Sequence, residues 1–528
     1  MRNDIPDDNA YIALPLPTTT LAEGEDYPFD KLSHEYRALG CPVIEKIHAN
    51  ELTPLVFYRD FVAKNIPVLI EGAIDHWPAL RRWRSDAYLR QVVGNETVTI
   101  DFTPDGRGDS IVDETMFVTP CEEKMKFGDF LSLVERESSK PTPSPPPRGF
   151  EANCLPDSVV DDREVSMSEL AKVDPAAVRI TTQPFVPQDP DTVRKRHYGV
   201  PYCQHQNSSF STEFQALHGD AELHLKFATE AFGAMPDAVN FWMGDTRSVT
   251  TMHSDNYENL YAVVCGEKHF TLVPPTDYYW LTKSTLPRGY WQRTTGEDDP
   301  VPEGSNNTTA ETKDDSKPLR IVKDGFVACP VDEKDPFNET TTWINVDVDN
   351  PTQEDTIQKG VQFDKITKFN ITVRPGQVLY LPALWFHAVR QRGRTIAINF
   401  WYDMAYDGRW VMNEFMKSVA DRYHATAAQR AAESEERLRR VHELRDKFEK
   451  AHGIHRKTIE EEIEEERKAE EERARARRHA KGIYSDSEDE GEDAGSSNKP
   501  QTRKQAESLE QKEGCQQSKQ STDPDTLD

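Results

Sequence analysis

Two β-rich stretches, far apart in the chain, limit its folds more than any other feature. The first runs through AVNFWMG and ENLYAVVCGEKHFTLV, the second through FNITVRPGQVLYLPALWFHAV and TIAINFWYD. β-Branched and aromatic residues crowd both, and Gly and Pro punctuate them. Strands of this kind need partners, and a double-stranded β-helix would return the late stretch beside the early one. Within the first stretch LYAVV and KHFTLV flank Cys265-Gly266, which reads as a β-hairpin turn. In the second, Pro375-Gly376 marks another turn.

Around this core, at about 197–411, the text changes character several times. Residues 1–28 read as a flexible start and 29–136 as ordered α+β structure, with an aromatic-anchored HWPALRRW and a strand-like TVTIDFTPDG. From 137 to 196 the Pro-rich SSKPTPSPPP and the weakly periodic VVDDREVSMSELAKVDP predict a largely flexible insertion. A second, low-complexity insertion at about 295–320 cannot bury enough to order itself. Residues 412–481 read as charged helices; Phe415, Val419 and Tyr423, four apart, would form the packing face. The tail from 482 to 528 carries SDSEDEGED from Ser485, six acids in nine residues, and is expected to be disordered.

Charge and cysteine usage narrow the function. A formal net charge of −28 disfavours broad attraction to nucleic-acid phosphates, so no direct nucleic-acid binding is expected. Seven dispersed cysteines, an odd count without a CxxC pair, form a reduced, intracellular pattern. The opening MRNDIPDDNAYIALPLP has no basic-then-apolar signal, and no apolar run approaches the roughly 20 residues of a membrane span. A cytoplasmic and/or nuclear protein, with no membrane association, is expected.

Non-haem iron(II) oxygenases hold their metal with two histidines and one carboxylate, leaving three positions open for a chelating co-substrate and dioxygen. The sequence trace is HxD or HxE plus a distant histidine, and this chain has two such triplets, His218-Gly219-Asp220 and His253-Ser254-Asp255. His218 lies in text of helical spacing with no strand leading into it. His253 follows a strand-like run and precedes the expected hairpin, which would set its triplet at the mouth of a barrel strand; a capped surface turn reads the same way. His387, in the apolar YLPALWFHAV, needs a partner or a metal, and a satisfied core histidine is the ordinary alternative. Lys268, on the return strand of the expected hairpin, is the cation that could meet the far carboxylate of 2-oxoglutarate, unless it is a solvent-facing lysine on an edge strand.

The segments MPDAVNFWMGD, TTMHSDNYENLYAVVCGEKHFTLVPPTD, RPGQVLYLPALWFHAV and IAINFWYDM resemble the JmjC (cupin-like) oxygenases, over roughly residues 52–128, 198–279 and 370–410. The resemblance implies a mainly β fold with flanking helices (α+β). Its centre would be a double-stranded β-helix, a jelly-roll barrel, with an N-terminal α/β extension, two disordered insertions, a C-terminal helical region and a disordered tail. It implies iron(II) held by His253, Asp255 and His387, with 2-oxoglutarate and dioxygen as co-substrates. Lys268 would pair with the 5-carboxylate, Tyr202 and Thr250 would give it hydroxyl donors, and Asn259 and Asn399 would line the pocket. The chain departs from the family in its Pro-rich insertion, between about Leu286 and Phe369, and after about Asp421.

Within the family the text is most similar to lysyl hydroxylases of developmentally regulated GTP-binding proteins. That implies hydroxylation of a lysine in a protein substrate such as a GTPase. Two other readings stand beside it: a histone lysine demethylase, and a non-catalytic scaffold that binds partners through its charged helix and acidic tail. Against the first weighs the lack of any zinc module, and against the second the joint presence of both histidines, the aspartate and the lysine. No HExxH motif or hydrolytic triad is present to support a peptidase. The amphipathic segment from about Trp410 to Ala432 is expected to serve a homodimer.

Overall fold

A computed structural model describes residues 11–12, 27–135, 163–179, 185–294, 321–331, 340–349, 362, 365–425 and 439–440. The chain divides into two compact units, Met1–Ala431 and Ala432–Asp528. Of the second, only residues 439–440 are described. The expectations for the low-complexity insertion at 295–320 and for the acidic tail fall outside the described residues.

Two strands dominate the first unit, Tyr257–Val273 and Phe386–Asp403. They pair antiparallel, with Tyr257 opposite Asp403 at one end and Val273 opposite Phe386 at the other. The outer edge of Tyr257–Val273 carries Gln377–Leu381 against its first half and Phe369–Val373 against its second. The Pro375-Gly376 turn joins these two, with Gly376 at φ +90° and its N–H donating to the Val263 carbonyl at 3.0 Å. The other edge of Phe386–Asp403 carries Val249–Ser254 and Ala238–Gly244. Gln377–Leu381 extends the sheet to Val68–Glu71 and then Val43–His48. The middle and late stretches thus close on each other as the expected cupin-like core.

The hairpin expected at Cys265-Gly266 does not form. Tyr257–Val273 is one continuous strand, and Gly266, at φ +69°, sits in a bulge where the register slips between Val263 and Glu267. A Cβ at Gly266 would lie 2.4 Å from Thr395 Oγ1 and 2.6 Å from the Arg394 carbonyl, so glycine is needed both for its backbone angle and for the close approach of the neighbouring strand. The bulge changes which residues face inward. Before it, Tyr261 and Val263 enter the inner core cluster; after it, Phe270 and Leu272 do, so the inward set shifts from odd to even numbers. Lys268 consequently shares a face with Tyr261.

The segment expected to be a flexible insertion is ordered where it is described. Met167–Val173 is a helix started by a capping box, in which Ser166 and Glu169 satisfy each other's backbone N–H groups. It buries Leu170 fully, and the following helix Pro190–Arg196 buries Val193. Arg82 and Asp174 add an ion pair at 2.6 Å. One apolar contact per short helix leaves no periodicity to read, which is why the sequence concealed them. The C-terminal helix, 408–425, also turns differently from expectation. Met416, Val419 and Ala420 pack inward, Tyr423 lies edge-on to Phe29, and Phe415 is exposed. Among the described residues, no helix is long and apolar enough to cross a membrane.

Candidate active site

The inner face of the two long strands opens into a cavity of about 790 Å³. His253 and His387 stand directly opposite each other as Cα partners of the Val249–Ser254 and Phe386–Asp403 strands. Their rings are 4.3 Å apart between centroids. Asp255, just beyond the end of its strand, brings Oδ2 to 3.7 Å from the Nε2 of each histidine. Ligand-capable atoms of all three lie within 4.8 Å of one another, and all three residues line the cavity.

Neighbouring carbonyls set the orientation of both rings. His253 Nδ1 is 2.8 Å from the Thr251 carbonyl and His387 Nδ1 is 3.1 Å from the Trp385 carbonyl. Each Nδ1–H donates to its carbonyl, which directs each Nε2 lone pair at the shared space, as metal-binding imidazoles require. Burial, then proximity to His253, lowers the His387 pKa to about 4 and keeps it neutral at physiological pH. Leu384, three residues earlier, is in the left-handed region at φ 74°, and its N–H donates to the Asp255 carbonyl at 2.8 Å. That bond ties the Asp255 loop to the segment leading into His387 and offsets part of a strain of about 1–2 kcal/mol. Two imidazoles and an aspartate with their donor atoms converging are a fitting set for iron(II).

A second bulge arranges the rest of the site. Thr250 opposes Val389 and His253 opposes His387, so one extra residue lies between them on their strand. In an unbroken strand, residues three apart would face opposite ways. Here both line the cavity. Thr250 hydrogen-bonds Tyr202, which also interacts with Tyr261. Tyr202 in turn receives a hydrogen bond of 2.8 Å from Lys268 Nζ. Lys268 is 1% exposed, and burial lowers its pKa to about 7. An almost fully enclosed ammonium surrounded by tyrosine hydroxyls is suited to a small dicarboxylate.

Asn259 and Asn399 both line the cavity. Asn399 is heavily committed: Nδ2 donates to Asn259 Oδ1 at 3.1 Å, and Oδ1 accepts from Trp242 Nε1 at 2.8 Å and Asn240 Nδ2 at 3.2 Å. It therefore holds Asn259 in position. The rejected triplet has a different task. Asp220 is buried and accepts from Arg82 at 2.7 Å, Trp83 Nε1 at 2.8 Å and Tyr88 OH at 2.8 Å, while His218 Nε2 meets the Phe210 carbonyl. These residues join helices rather than a metal.

Several cavity residues escaped the sequence reading. Tyr261 sits two residues from Asn259 in the strand pattern, but its role depends on the bulge. Trp343, from the Thr341–Ile344 strand inside the long departure, stacks on His253 at 5.6 Å and 8°, and its Nε1 donates to Thr251 Oγ1 at 2.9 Å. An isolated Trp in the polar TTTWI was the available signal. Asp101 and Asp109 line the cavity too, and nothing in TVTIDFTPDGRGD marks them.

Comparison with known proteins extends over most of this architecture. A family model described as Cupin-like domain matches residues 54–408. The human Bifunctional peptidase and (3S)-lysyl hydroxylase JMJD7 is 32% identical over 367 residues, covering 70% of this chain and 86% of that protein. The Arabidopsis thaliana Lysine-specific demethylase JMJ32 is 30% identical over 375 residues, covering 70% and 84%. JmjC domain-containing protein E of Dictyostelium discoideum is 31% identical over 386 residues, covering 70% and 86%.

Proposed function

The chain belongs to the cupin-like JmjC family of 2-oxoglutarate-dependent oxygenases, and we propose that it is an iron(II)-dependent protein hydroxylase acting on a lysine side chain. The observation that carries this reading is the convergence of His253, Asp255 and His387 in the same cavity lining as Thr250, whose hydroxyl network leads to the buried Lys268. When bound, iron(II), 2-oxoglutarate and dioxygen supply the oxidant that turns a C–H bond into C–OH. His253, Asp255 and His387 would hold the metal on one side, leaving the rest of its shell open. Lys268, with Tyr202 and Thr250, would hold the far carboxylate of the co-substrate. Asn259, fixed by Asn399, lines the space where the reacting side chain lies. The aromatic lining of Trp242, Tyr261, Phe270 and Trp343 keeps that space poor in water.

The human relative's name supports lysyl hydroxylation, and a GTP-binding protein is the substrate class we favour. The Arabidopsis relative's name favours a second reading, demethylation of a methylated lysine. Net charge of −28 supports a protein target over nucleic acid, and seven dispersed cysteines without a CxxC pair support a place in the cytoplasm and/or nucleus. Exposed Val411, Met412 and Phe415 on helix 408–425 support a dimer through that helix. The discriminating experiment is mass spectrometry of a lysine-bearing GTP-binding protein and of methylated histone peptides after incubation with iron(II), 2-oxoglutarate and oxygen. Gain of one oxygen atom is the expected result. Loss of a methyl group would replace the reading with demethylation, and absence of any succinate release would leave a scaffold.

A further inference from the structure

An oxidisable side chain lies against one of the proposed metal ligands. Trp343 stacks on the His253 ring at 5.6 Å between centroids and 8° between planes. Two further contacts keep it there: Nε1 donates to Thr251 Oγ1 at 2.9 Å, and the Phe117 ring backs it at 4.7 Å. Half-buried, Trp343 lines both the active-site cavity and a smaller cavity of about 220 Å³. The indole is thus fixed beside the metal position with open space next to it, so one added atom on the ring can be accommodated. The other aromatic rings of the cavity are placed differently. Trp242, Tyr261 and Phe270 belong to the buried inner core, and Trp401 has one face covered by Tyr257 at 5.0 Å and 6°. Among the described residues, Trp343 is the one ring, besides those of the two histidines themselves, in contact with either of them.

Indole offers the most electron-rich π face among the side chains. Holding it beside the place of oxygen transfer raises its effective concentration far above that of any ring free in solution. We propose that Trp343 is a self-modification site: when the cavity holds 2-oxoglutarate but no protein substrate, one oxygen atom of dioxygen is transferred to a ring carbon of Trp343. This rests on the iron(II) oxygenase reading. The balance uses only the co-substrates of that reaction. One dioxygen, one 2-oxoglutarate and one ring C–H become succinate, carbon dioxide and one ring C–OH. The C1–C2 bond of 2-oxoglutarate breaks and supplies two of the four electrons that dioxygen takes up, and the ring supplies the other two. One oxygen atom ends in succinate and the other on the ring, where the displaced hydrogen becomes the hydroxyl proton. A bound substrate side chain takes that oxygen instead, so the modification marks turnover without substrate. Trp343 lies in the stretch where the chain departs from the family, so the site belongs to this chain rather than to the fold.

The test supplies the full chain, under anaerobic conditions, with iron(II) and 2-oxoglutarate, then admits isotopically heavy dioxygen and maps oxygen gain by tandem mass spectrometry. A gain of one heavy oxygen atom at Trp343 is expected, dependent on 2-oxoglutarate and absent when zinc replaces iron. Met235 and Met412, whose side chains are exposed, report indiscriminate oxidation in the same sample. Trp343→Phe keeps a stacking ring of lower electron density; it should lose the label while keeping the parental melting temperature, which shows that the label sat on the indole of a folded protein. Succinate release with no oxygen gained at Trp343 would overturn the proposal and leave the oxygenase reading standing. So would a gain at Trp343 that needs no 2-oxoglutarate or does not exceed that at Met235 and Met412, and so would label persisting on other residues of the same peptide in Trp343→Phe. Absence of succinate release removes the oxygenase reading and this inference with it.

Discussion

Lys268 Nζ donates to the Tyr202 hydroxyl at 2.8 Å, and among the described residues no carboxylate pairs with it. Burial alone holds its pKa at about 7, against 10.5 when exposed. The far carboxylate of 2-oxoglutarate favours the ammonium, so above pH of about 7 binding must first take up a proton. Affinity for 2-oxoglutarate should therefore be flat at lower pH and fall by up to about tenfold per unit above 7. Stability runs the opposite way. Between about 7 and 10.5 the unfolded chain holds the proton and the folded chain does not, so the co-substrate-free protein gains stability as pH rises, by up to about 1.4 kcal/mol per unit. Lys268→Met should abolish both dependences, binding no 2-oxoglutarate while melting no lower than the parent at neutral pH. Calorimetric titration and thermal melts across this range check both, and an unchanged affinity from acid to alkaline pH would refute the assignment of Lys268.

Two HxD triplets in one chain allow a paired control. Removing a ligand with Asp255→Ala or His387→Ala should weaken metal binding by more than the roughly 10–100-fold that outer partners of such sites are worth. The fold should stay intact, because an imidazole or carboxylate facing the cavity supports little packing. Asp220→Asn should do the converse. It breaks a buried ion pair with Arg82 and weakens bonds from Trp83 and Tyr88, a loss on the order of 3–5 kcal/mol, with metal affinity unchanged in whatever protein remains folded. Metal titration followed by thermal melting separates the pair.

Gly266→Ala tests whether the bulge arranges the co-substrate end. The left-handed backbone adds about 1–2 kcal/mol, and the new methyl would press on Thr395 Oγ1 and the Arg394 carbonyl. A fall in melting temperature is expected, together with a loss of 2-oxoglutarate affinity larger than that instability explains, because the bulge is what turns Lys268 to the face of Tyr261. Metal binding at His253 and His387, which depends on the other bulge, should fall less. An alanine variant with parental 2-oxoglutarate affinity would show that the bulge is only structural.

The sequence made the ligands legible because their chemistry is rare: an imidazole in apolar strand text must have a partner, and HxD beside it narrows what that partner is. The core strands were legible from their β-branched and aromatic residues. What stayed hidden is geometry that alternation alone cannot carry. Thr250 with His253, and Tyr261 with Lys268, share faces only because each pair spans a bulge, and Gly266 produces the same local text for a bulge as for a hairpin turn. Leu170 and Val193 each anchor a short helix singly, below any periodic signal. Asp101 reads as an ordinary strand-end aspartate until the strand opposite it brings Glu122 alongside.

Trp343 lies inside the stretch that departs from the family, yet it covers a ligand. Its ring stacks on His253, its Nε1 bonds Thr251 Oγ1, and the Thr251 carbonyl receives the His253 Nδ1–H, so the two contacts fix one imidazole from its face and from its edge. Trp343→Ala leaves the Nδ1 bond in place and removes the stack, which frees the ring to tilt and admits water to the cavity beside it. Metal affinity should drop by less than about tenfold, below the full loss of an outer partner. Coupling should suffer more, because a wetter cavity lets co-substrate be consumed without oxygen transfer. Trp343→Phe keeps a stacking ring without the N–H and should recover most of the metal affinity. The measurement is succinate formed per hydroxylated product at saturating metal, and a ratio unchanged in Trp343→Ala would reduce this residue to a packing role.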